Sequence, residues 1–506
     1  MKPTKTLLFI FSVIALLGIA WLLFPSDGVR AGSLTLRFPS YAEARMGEEK
    51  TLDVDSVLNT VSQSFEMTCS DNALDSLEFF RIFLTMNPNR IYLPHDDYTF
   101  FDSIFSLFEH ARARGKTYRI LHYGDSQIEM DRITSILRQR VQEIFGGSGP
   151  NMIPAIQTIP SISISQRASG DLTRYTLYGD STTRRASHKR YGVMTQFSQA
   201  HSYGTISFSK TSHSQAQDNV KNISRVALLL GNTGPNFSAT LQCDKLQSMK
   251  RTQEASNGAA LVTWELPCNV KRGSITTNGR AEIYAVLLDG GPGVCVDNIP
   301  LRGCSGTVFT RIDKKIMAQS LQLLNTRLII LQFGGNRMPG IRSSKNIVNY
   351  LAELERQIAF FKEIAPQAKM LFIGPSDMSR SYNGKMQTWK NLPELNDSLK
   401  AMALRNNLAY WDLFHVMGGE GSMAQYVKHN PALAGPDYIH FTFTGAQKIG
   451  TTLAKSLTTY YDFYKLRQHL PNDSVIDFIR NKSNDRDTHL IQQLSPINPY
   501  LPQHLQ

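Results

Sequence analysis

Helix-and-strand alternation that stops, gives way to a run of short strands and then resumes is the feature that most limits how this chain can fold. Phe100–Ala113 has the apolar spacing of an amphipathic helix ended by Arg114-Gly115-Lys116, and Tyr118–Tyr123 (YRILHY) follows as a buried strand. After the turn Gly124-Asp125-Ser126-Gln127, the residues Ile133, Ile136, Leu137, Val141 and Ile144 recur on one face of a helix that stops at Gly146-Gly147. From about 155 to 292, segments such as Gly204–Ser209, Arg225–Leu230, Ala259–Leu266 and Ala281–Leu288 are separated by Gly, Asn, Ser and Pro, the pattern of an all-β sandwich. Alternation then returns: strand Arg327–Phe333, helix Asn346–Ile364, strand Lys369–Ile373, helix Leu392–Arg405, strand Leu408–Leu413 and helix Thr444–Tyr461. The expected fold is α/β with a parallel sheet, interrupted by a β-sandwich insertion.

A chain of 506 residues exceeds one ordinary core, so more than one module is expected. Lys2 and Lys5 precede an apolar run from Thr6 to Phe24, long enough as a helix to cross a hydrocarbon core. Trp21, Leu22, Leu23 and Phe24 stand where a cleavage site would want small residues, which predicts an uncleaved signal anchor. Residues 6–24 would then contact the membrane, and everything beyond Pro25 would lie outside the cytoplasm, in the cell envelope. The expected boundaries are 1–30 for the transmembrane helix, 31–94 for a linker and helical segment, 95–154 and 293–465 for the α/β domain, 155–292 for the insertion and 466–506 for a polar, irregular tail.

The formal charge of +12, from 54 basic and 42 acidic residues, would draw the exported face toward anionic polymers or phospholipid head groups. The densest basic run, Arg184 to Arg190, has no nucleic-acid motif around it and reads as a solvated loop, so no nucleic-acid partner is expected. An exported location permits disulfides, and the candidate pairs are Cys295 with Cys304 and Cys243 with Cys268. No Cys/His cluster has metal-ligand spacing, and His95-Asp96-Asp97 reads as a polar loop, so neither metal nor cofactor is assigned.

Ser126 stands at a strand-to-helix turn, where its oxygen would project from the sheet edge toward free helix amides. An Asp-Ser after a strand is also a common helix cap, so the turn alone does not decide. A nucleophilic serine needs a base, and His440 in Asp437-Tyr438-Ile439-His440 has a carboxylate three residues earlier that can accept its Nδ1 proton and leave Nε2 facing the serine. His122, inside a strand, and His415 are rivals read as core or surface residues.

The blocks HYGDSQ, FGGNR at 333–337 and DYIHFTFTGAQ at 437–447, in that order, resemble those of the SGNH (GDSL-type) hydrolases. The resemblance covers roughly 95–150 and 293–462. It implies a flavodoxin-like three-layer fold, with Ser126 as nucleophile, Asp437 and His440 as its partners, and an oxyanion hole built from the Ser126 amide, Asn336 and a glycine amide. Gly303 is the best match for that glycine, with Gly306 as a rival. Arg337 stands where the family usually carries an acidic residue, and the glycine-rich loop Met417–Met423 also resembles envelope members. A β insertion between the serine and glycine blocks is similar to the arrangement in peptidoglycan O-acetylesterases. The resemblance therefore implies an esterase acting on an acetylated cell-envelope glycan. An O-acetyltransferase with the same residues, or a non-catalytic glycan-binding protein, remain open at this point.

Overall fold

The computed structural model describes residues 9–13, 15–16, 18–19, 29–31, 34–36, 54, 73–180, 182–470 and 472–480. The chain divides into two compact units, Met1–Asp53 and Val54–Gln506. In the first, the described residues of 9–19 are helical, and β1 (Val29–Ala31) pairs antiparallel with β2 (Leu34–Leu36). The expected transmembrane helix is corrected here: among the described residues no helix is long and apolar enough to cross a membrane. A hydrocarbon core of ~30 Å needs ~20 consecutive apolar helical residues, and the described stretch is shorter than that; the rest of segment 6–24 lies outside the described residues, as does all but Val54 of Val54–Phe65, whose apolar spacing predicts a helix.

The second unit begins with α1 (Ala73–Met86), β3 (Ile91–Tyr92), α2 (Asp102–Glu109), β4 (Thr117–Gly124) and α3 (Thr134–Phe145). β5 (Asn151–Ile153) then opens the inserted sheet, followed by β6 (Ile164–Thr176), β7 (Gln196–Lys210), β8 (Ile223–Thr233), β9 (Phe237–Cys243), β10 (Met249–Gln253), β11 (Ala260–Val270), β12 (Arg272–Asn278) and β13 (Ala281–Asp289). The expected sandwich is one nine-stranded hydrogen-bonded sheet rather than two. Long strands make this possible, because β7 pairs with β6, β12 and β13 along its length. The sheet encloses a single apolar core that includes Ile206, Phe208, Leu228, Phe237, Trp264 and Ile283.

The α/β part resumes at β14 (Gly293–Pro300), α4 (Lys314–Leu323), β15 (Thr326–Gln332), α5 (Ser344–Ile364), β16 (Lys369–Ile373), the hairpin β17 (Ser379–Tyr382) and β18 (Lys385–Thr388), α6 (Leu392–Arg405), β19 (Ala409–Trp411), α7 (Leu413–Val416), α8 (Ser422–Lys428), α9 (Phe443–Gln468) and α10 (Asn472–Arg480). Its sheet has the order β14-β4-β15-β16-β19-β3. The first five strands are parallel, and β3 adds an antiparallel edge, so the sheet is mixed. Alternation along β4 sends Leu121 and Tyr123 into a core with α4, α5 and α6. His122 points the other way, to Thr134 of α3, where α2, α3 and α9 meet through Phe105, Phe145 and Tyr461.

The two sheets share apolar packing: Met194, Phe197 and Tyr284 of the insertion belong to the same core as Leu121 and Ile329. A buried ionic knot also joins them. Arg119 of β4 lies between Asp289, the last residue of β13, and Asp297 of β14, donating to Asp297 Oδ1 at 2.8 Å. Neither candidate disulfide forms. Cys295 is buried within β14, Cys304 Sγ accepts the Gly306 N–H at 3.3 Å, Cys243 faces the insertion core and Cys268 is exposed, so each thiol is committed to a different surrounding. Part of the expected irregular tail is helical: α9 runs on to Gln468 and α10 covers Asn472–Arg480, with Val475 and Ile479 buried. The basic run is no mere solvated loop, since Arg190 pairs with the buried Glu282 and Arg185 donates to the carbonyls of Thr176, Tyr178 and Gly179.

Candidate active site

The site lies at the C-terminal ends of β4, β14, β15 and β16, the edge of a parallel sheet where ligands commonly bind. β4 ends at Gly124, where a Cβ would come within 2.9 Å of the Ile128 side chain and force it to shift. Asp125 caps the turn that follows, its Oδ1 accepting the Gln127 N–H at 2.9 Å. Ser126 opens a 3-10 segment, Ser126–Asp131, rather than α3 itself. Met130 and Asp131 adopt positive φ and redirect the chain, so α3 starts only at Thr134. The Ser126 amide is the first of that short turn and has no intrahelical acceptor by construction.

Ser126 Oγ lies 2.8 Å from His440 Nε2, and His440 Nδ1 lies 2.7 Å from Asp437 Oδ2. Asp437 Oδ1 accepts the backbone N–H of Ile439 and of His440, at 3.0 and 3.1 Å. Partial burial raises the Asp437 pKa, but the His440 side chain and these two amides outweigh it, and the net position is below the usual carboxylate value. The carboxylate is thus held ionised against the imidazole.

Two side chains outside the expected set fasten the serine turn to the histidine loop. Gln127 Nε2 donates to the Ile439 carbonyl at 2.7 Å and to Ser376 Oγ at 3.2 Å. Arg132 donates to the carbonyls of Phe441 at 2.6 Å and Ser126 at 3.0 Å. From the other side, the Ser379 N–H reaches the Tyr438 carbonyl at 3.0 Å. Gln127 sits inside the HYGDSQ block, so its nearness to the site was legible; Arg132 and Ser376 carried no local signal.

Asn336 follows β15 through Gly334, whose φ of 137° only glycine readily adopts. Its Nδ2 donates to Asp125 Oδ2 at 3.0 Å and to the Cys304 carbonyl at 3.2 Å. Full burial raises Asp125 to a pKa of about 6, against the opposing pull of the Gln127 amide, His440 and Asn336. Gly303, at φ 73°, has an N–H with no acceptor among the described residues, whereas the Gly306 N–H is taken by Cys304 Sγ. Arg337 points out of the site, its guanidinium 5.6 Å from the Tyr350 ring and 3.6 Å from Glu353 on α5. It ties the asparagine loop to that helix.

A cleft of about 150 Å³ opens over these groups, lined among others by Ser126, Asn336, Ser376, Met378 and His440. The Met417–Met423 loop does not line it. Its Met423 N–H donates to Asp377 Oδ2 at 2.7 Å and its Gly421 N–H to Thr388 Oγ1 at 2.7 Å, so it is anchored beneath the β17–β18 hairpin. The rival histidines are accounted for. His122 is fully buried between Gln332 and Thr134, and burial lowers its pKa to about 4. His415 has a carboxylate three residues earlier, Asp412, at 2.9 Å, so it shares the local pattern of His440 but holds it within the fold. Among the described residues no three His, Cys, Asp or Glu side chains gather as a metal ion would require.

A hydroxyl facing a histidine that is itself held by an aspartate, beside convergent amide donors, defines the machinery of a serine hydrolase. The sequence profile of the GDSL-like lipase/acylhydrolase family matches residues 269–448. The chain carries a domain of that family and is an SGNH-type serine esterase. The match takes in Asn336, Asp437 and His440 but starts inside the insertion, leaving Ser126 outside it. Among solved structures, one titled a peptidoglycan O-acetylesterase in action is 18% identical, covers 72% of this chain and 96% of its own, and superposes with a TM-score of 0.57. That shows the shared fold. A family two carbohydrate esterase from Cellvibrio japonicus (10% identity, 62% of this chain and 99% of its own, TM-score 0.21) and a salicylyl-acyltransferase from a tetracycline biosynthetic pathway (12%, 59% and 97%, 0.25) superpose too loosely to carry an argument. No curated protein matches this sequence.

Proposed function

We propose that this esterase removes O-acetyl groups from a cell-envelope polysaccharide, peptidoglycan foremost, through an acetyl-Ser126 intermediate. The observation that carries the reading is the unbroken relay from Asp437 through His440 to Ser126, at 2.7 and 2.8 Å, beneath an accessible cleft. His440 Nε2 takes the Ser126 proton as Oγ attacks the acetyl carbonyl, and ionised Asp437 stabilises the imidazolium. The oxyanion meets the amides of Ser126 and Gly303 and the Asn336 Nδ2, which at present donates to the Cys304 carbonyl. A charged oxygen is the stronger acceptor and displaces that neutral one. Collapse breaks the ester bond, and His440 hands its proton to the departing sugar oxygen. Water, deprotonated by the same His440, then attacks the acetyl carbonyl, and acetate leaves as Oγ regains a proton.

Support for the glycan comes from the shared fold with a protein described as a peptidoglycan O-acetylesterase and from a net charge of +12, suited to an anionic polymer. The place of action we infer is the cell envelope, outside the cytoplasm, where such a polymer lies. The test is acetate release from O-acetylated peptidoglycan and from other acetylated polysaccharides, with wild type and Ser126→Ala side by side. Release that disappears in Ser126→Ala and is fastest on peptidoglycan is expected; equal release by both proteins would sink the mechanism.

A further inference from the structure

A second, larger cleft of about 460 Å³ begins three residues past Ser126, at Glu129, and runs between the catalytic sheet and the insertion. Its catalytic-side wall includes Pro300 and Arg302, next to Gly303, and its insertion-side wall includes Gln157, Arg174, Tyr178 and Gln196. The volume falls in the range of roughly 300–1,000 Å³ usual for sites that enclose a small ligand. Tyr178 spans the two walls, its hydroxyl donating to the Pro300 carbonyl at 3.4 Å.

Charge pairing inside this cleft is uneven. Arg302 is held by Glu129 through two bonds of 2.5 and 2.6 Å, and Arg138 grips Asp131 at 2.6 and 3.0 Å. Asp180, at the exposed rim, accepts the hydroxyl and amide of Thr182. Among the described residues, Arg174 alone of the lining cations pairs with no carboxylate. Its Nε donates to Gln196 Oε1 at 2.5 Å, and its two terminal nitrogens have no hydrogen-bond partner among the described residues. Burial penalises its charge enough to lower its pKa. A partly desolvated guanidinium oriented through one nitrogen, with its planar pair of donors uncommitted, is suited to receive a carboxylate bidentately.

We propose that this cleft is a subsite for a carboxylate carried by the polymer close to the acetyl ester, with Arg174 as its bidentate partner. This rests on the reading of the chain as a glycan O-acetylesterase and adds to it a selectivity: acidic acetylated glycans are held, and neutral ones bind without this contact. The insertion thereby contributes a specificity-determining residue to a reaction whose chemistry lies wholly on the other sheet.

The test uses full-length Ser126→Ala protein, which binds without turnover, titrated calorimetrically with soluble O-acetylated peptidoglycan fragments whose carboxylates are free or amidated. Amidation is expected to weaken binding about 10- to 100-fold. Arg174→Gln in the same background is expected to weaken binding of the free-carboxylate fragment as much, and to leave the amidated fragment's affinity where it was. Arg174→Lys, which keeps the charge without the fork, falls between. Equal affinity for the two fragments overturns the subsite, and because that arm needs no substitution at Arg174 it decides even if Arg174→Gln does not fold. Failure of the esterase reading shows elsewhere, as wild-type protein that releases no acetate from either fragment.

Discussion

This chain contains two Asp-x-x-His units, one directly after β19 and one in the loop before α9, and they differ in nearly everything but spacing. In each, the histidine Nδ1 meets the aspartate three residues earlier, at 2.7 Å for His440 and 2.9 Å for His415. The Asp437 side chain is 49% exposed, and its histidine reaches onward to Ser126. The Asp412 side chain is 0% exposed and is shared with Lys400 at 3.1 Å and Asn396 at 2.9 Å, where it also caps α7. One pair sends its polarisation outward to the Ser126 hydroxyl; the other spends it on holding α6, β19 and α7 together. Spacing makes a dyad, and the third partner decides what the dyad does.

The sharpest way to break this comparison is to remove each histidine. His440→Ala is expected to lower kcat for ester hydrolysis by about 10³-fold or more, whereas His415→Ala should leave kcat within about twofold; comparable losses would erase the distinction. Exchanging the aspartates is the next test. Asp437→Asn is expected to cost about 10²- to 10⁴-fold in kcat with little change in Tm. Asp412→Asn should spare kcat and cost about 1–3 kcal/mol of stability, read from denaturant unfolding, because it leaves Lys400 and His415 without a buried anion.

Smaller in size is the pH dependence of that stability. Burial raises the Asp412 pKa, but the His415 hydrogen bond and the nearby Lys400 bring it below its ordinary value. The folded state therefore binds this proton less tightly than the unfolded one, so the stabilisation is present above the unfolded value of about 4 and is lost as pH falls through the lower folded one. The gap between wild type and Asp412→Asn should close as pH drops below about 4. Asp125 runs the other way, since its folded pKa is raised to about 6. Its contribution is fully present at acid pH and disappears as pH rises from about 4 through about 6, so Asp125→Asn should gain Tm relative to wild type over that window. A melting series with no such trend would remove burial as the dominant influence on Asp125.

The clamp between the serine turn and the histidine loop sharpens the comparison further, because among the described residues the Asp412 pair has no such clamp to Ser126. Gln127→Ala is expected to lower kcat about 10-fold with KM for a small acetyl ester nearly constant, as the Ser126–His440 distance loosens. An unchanged kcat would mean that Arg132 and the Ser379–Tyr438 bond suffice.

Much of this was legible in one dimension. The runs YRILHY and RLIILQF and the segment Lys369–Ile373 read as buried strands and are β4, β15 and β16, since a period-2 or continuous apolar run bounded by glycine leaves a short segment little choice. The order of the serine, asparagine and histidine blocks likewise named the residues that meet. His440 was the base expected from the sequence, yet Asp412-Leu413-Phe414-His415 satisfies the same local rule, and only the tertiary structure brings one of these dyads to Ser126, across 314 positions. Tertiary structure also decided that Cys295 and Cys304 stay apart, that Gly303 rather than Gly306 keeps an amide uncommitted, and that Arg174 enters a cleft with no counterion among the described residues. Each of these depends on what the backbone brings alongside a group from elsewhere in the chain, and pairing, burial and counterions are properties of that neighbourhood.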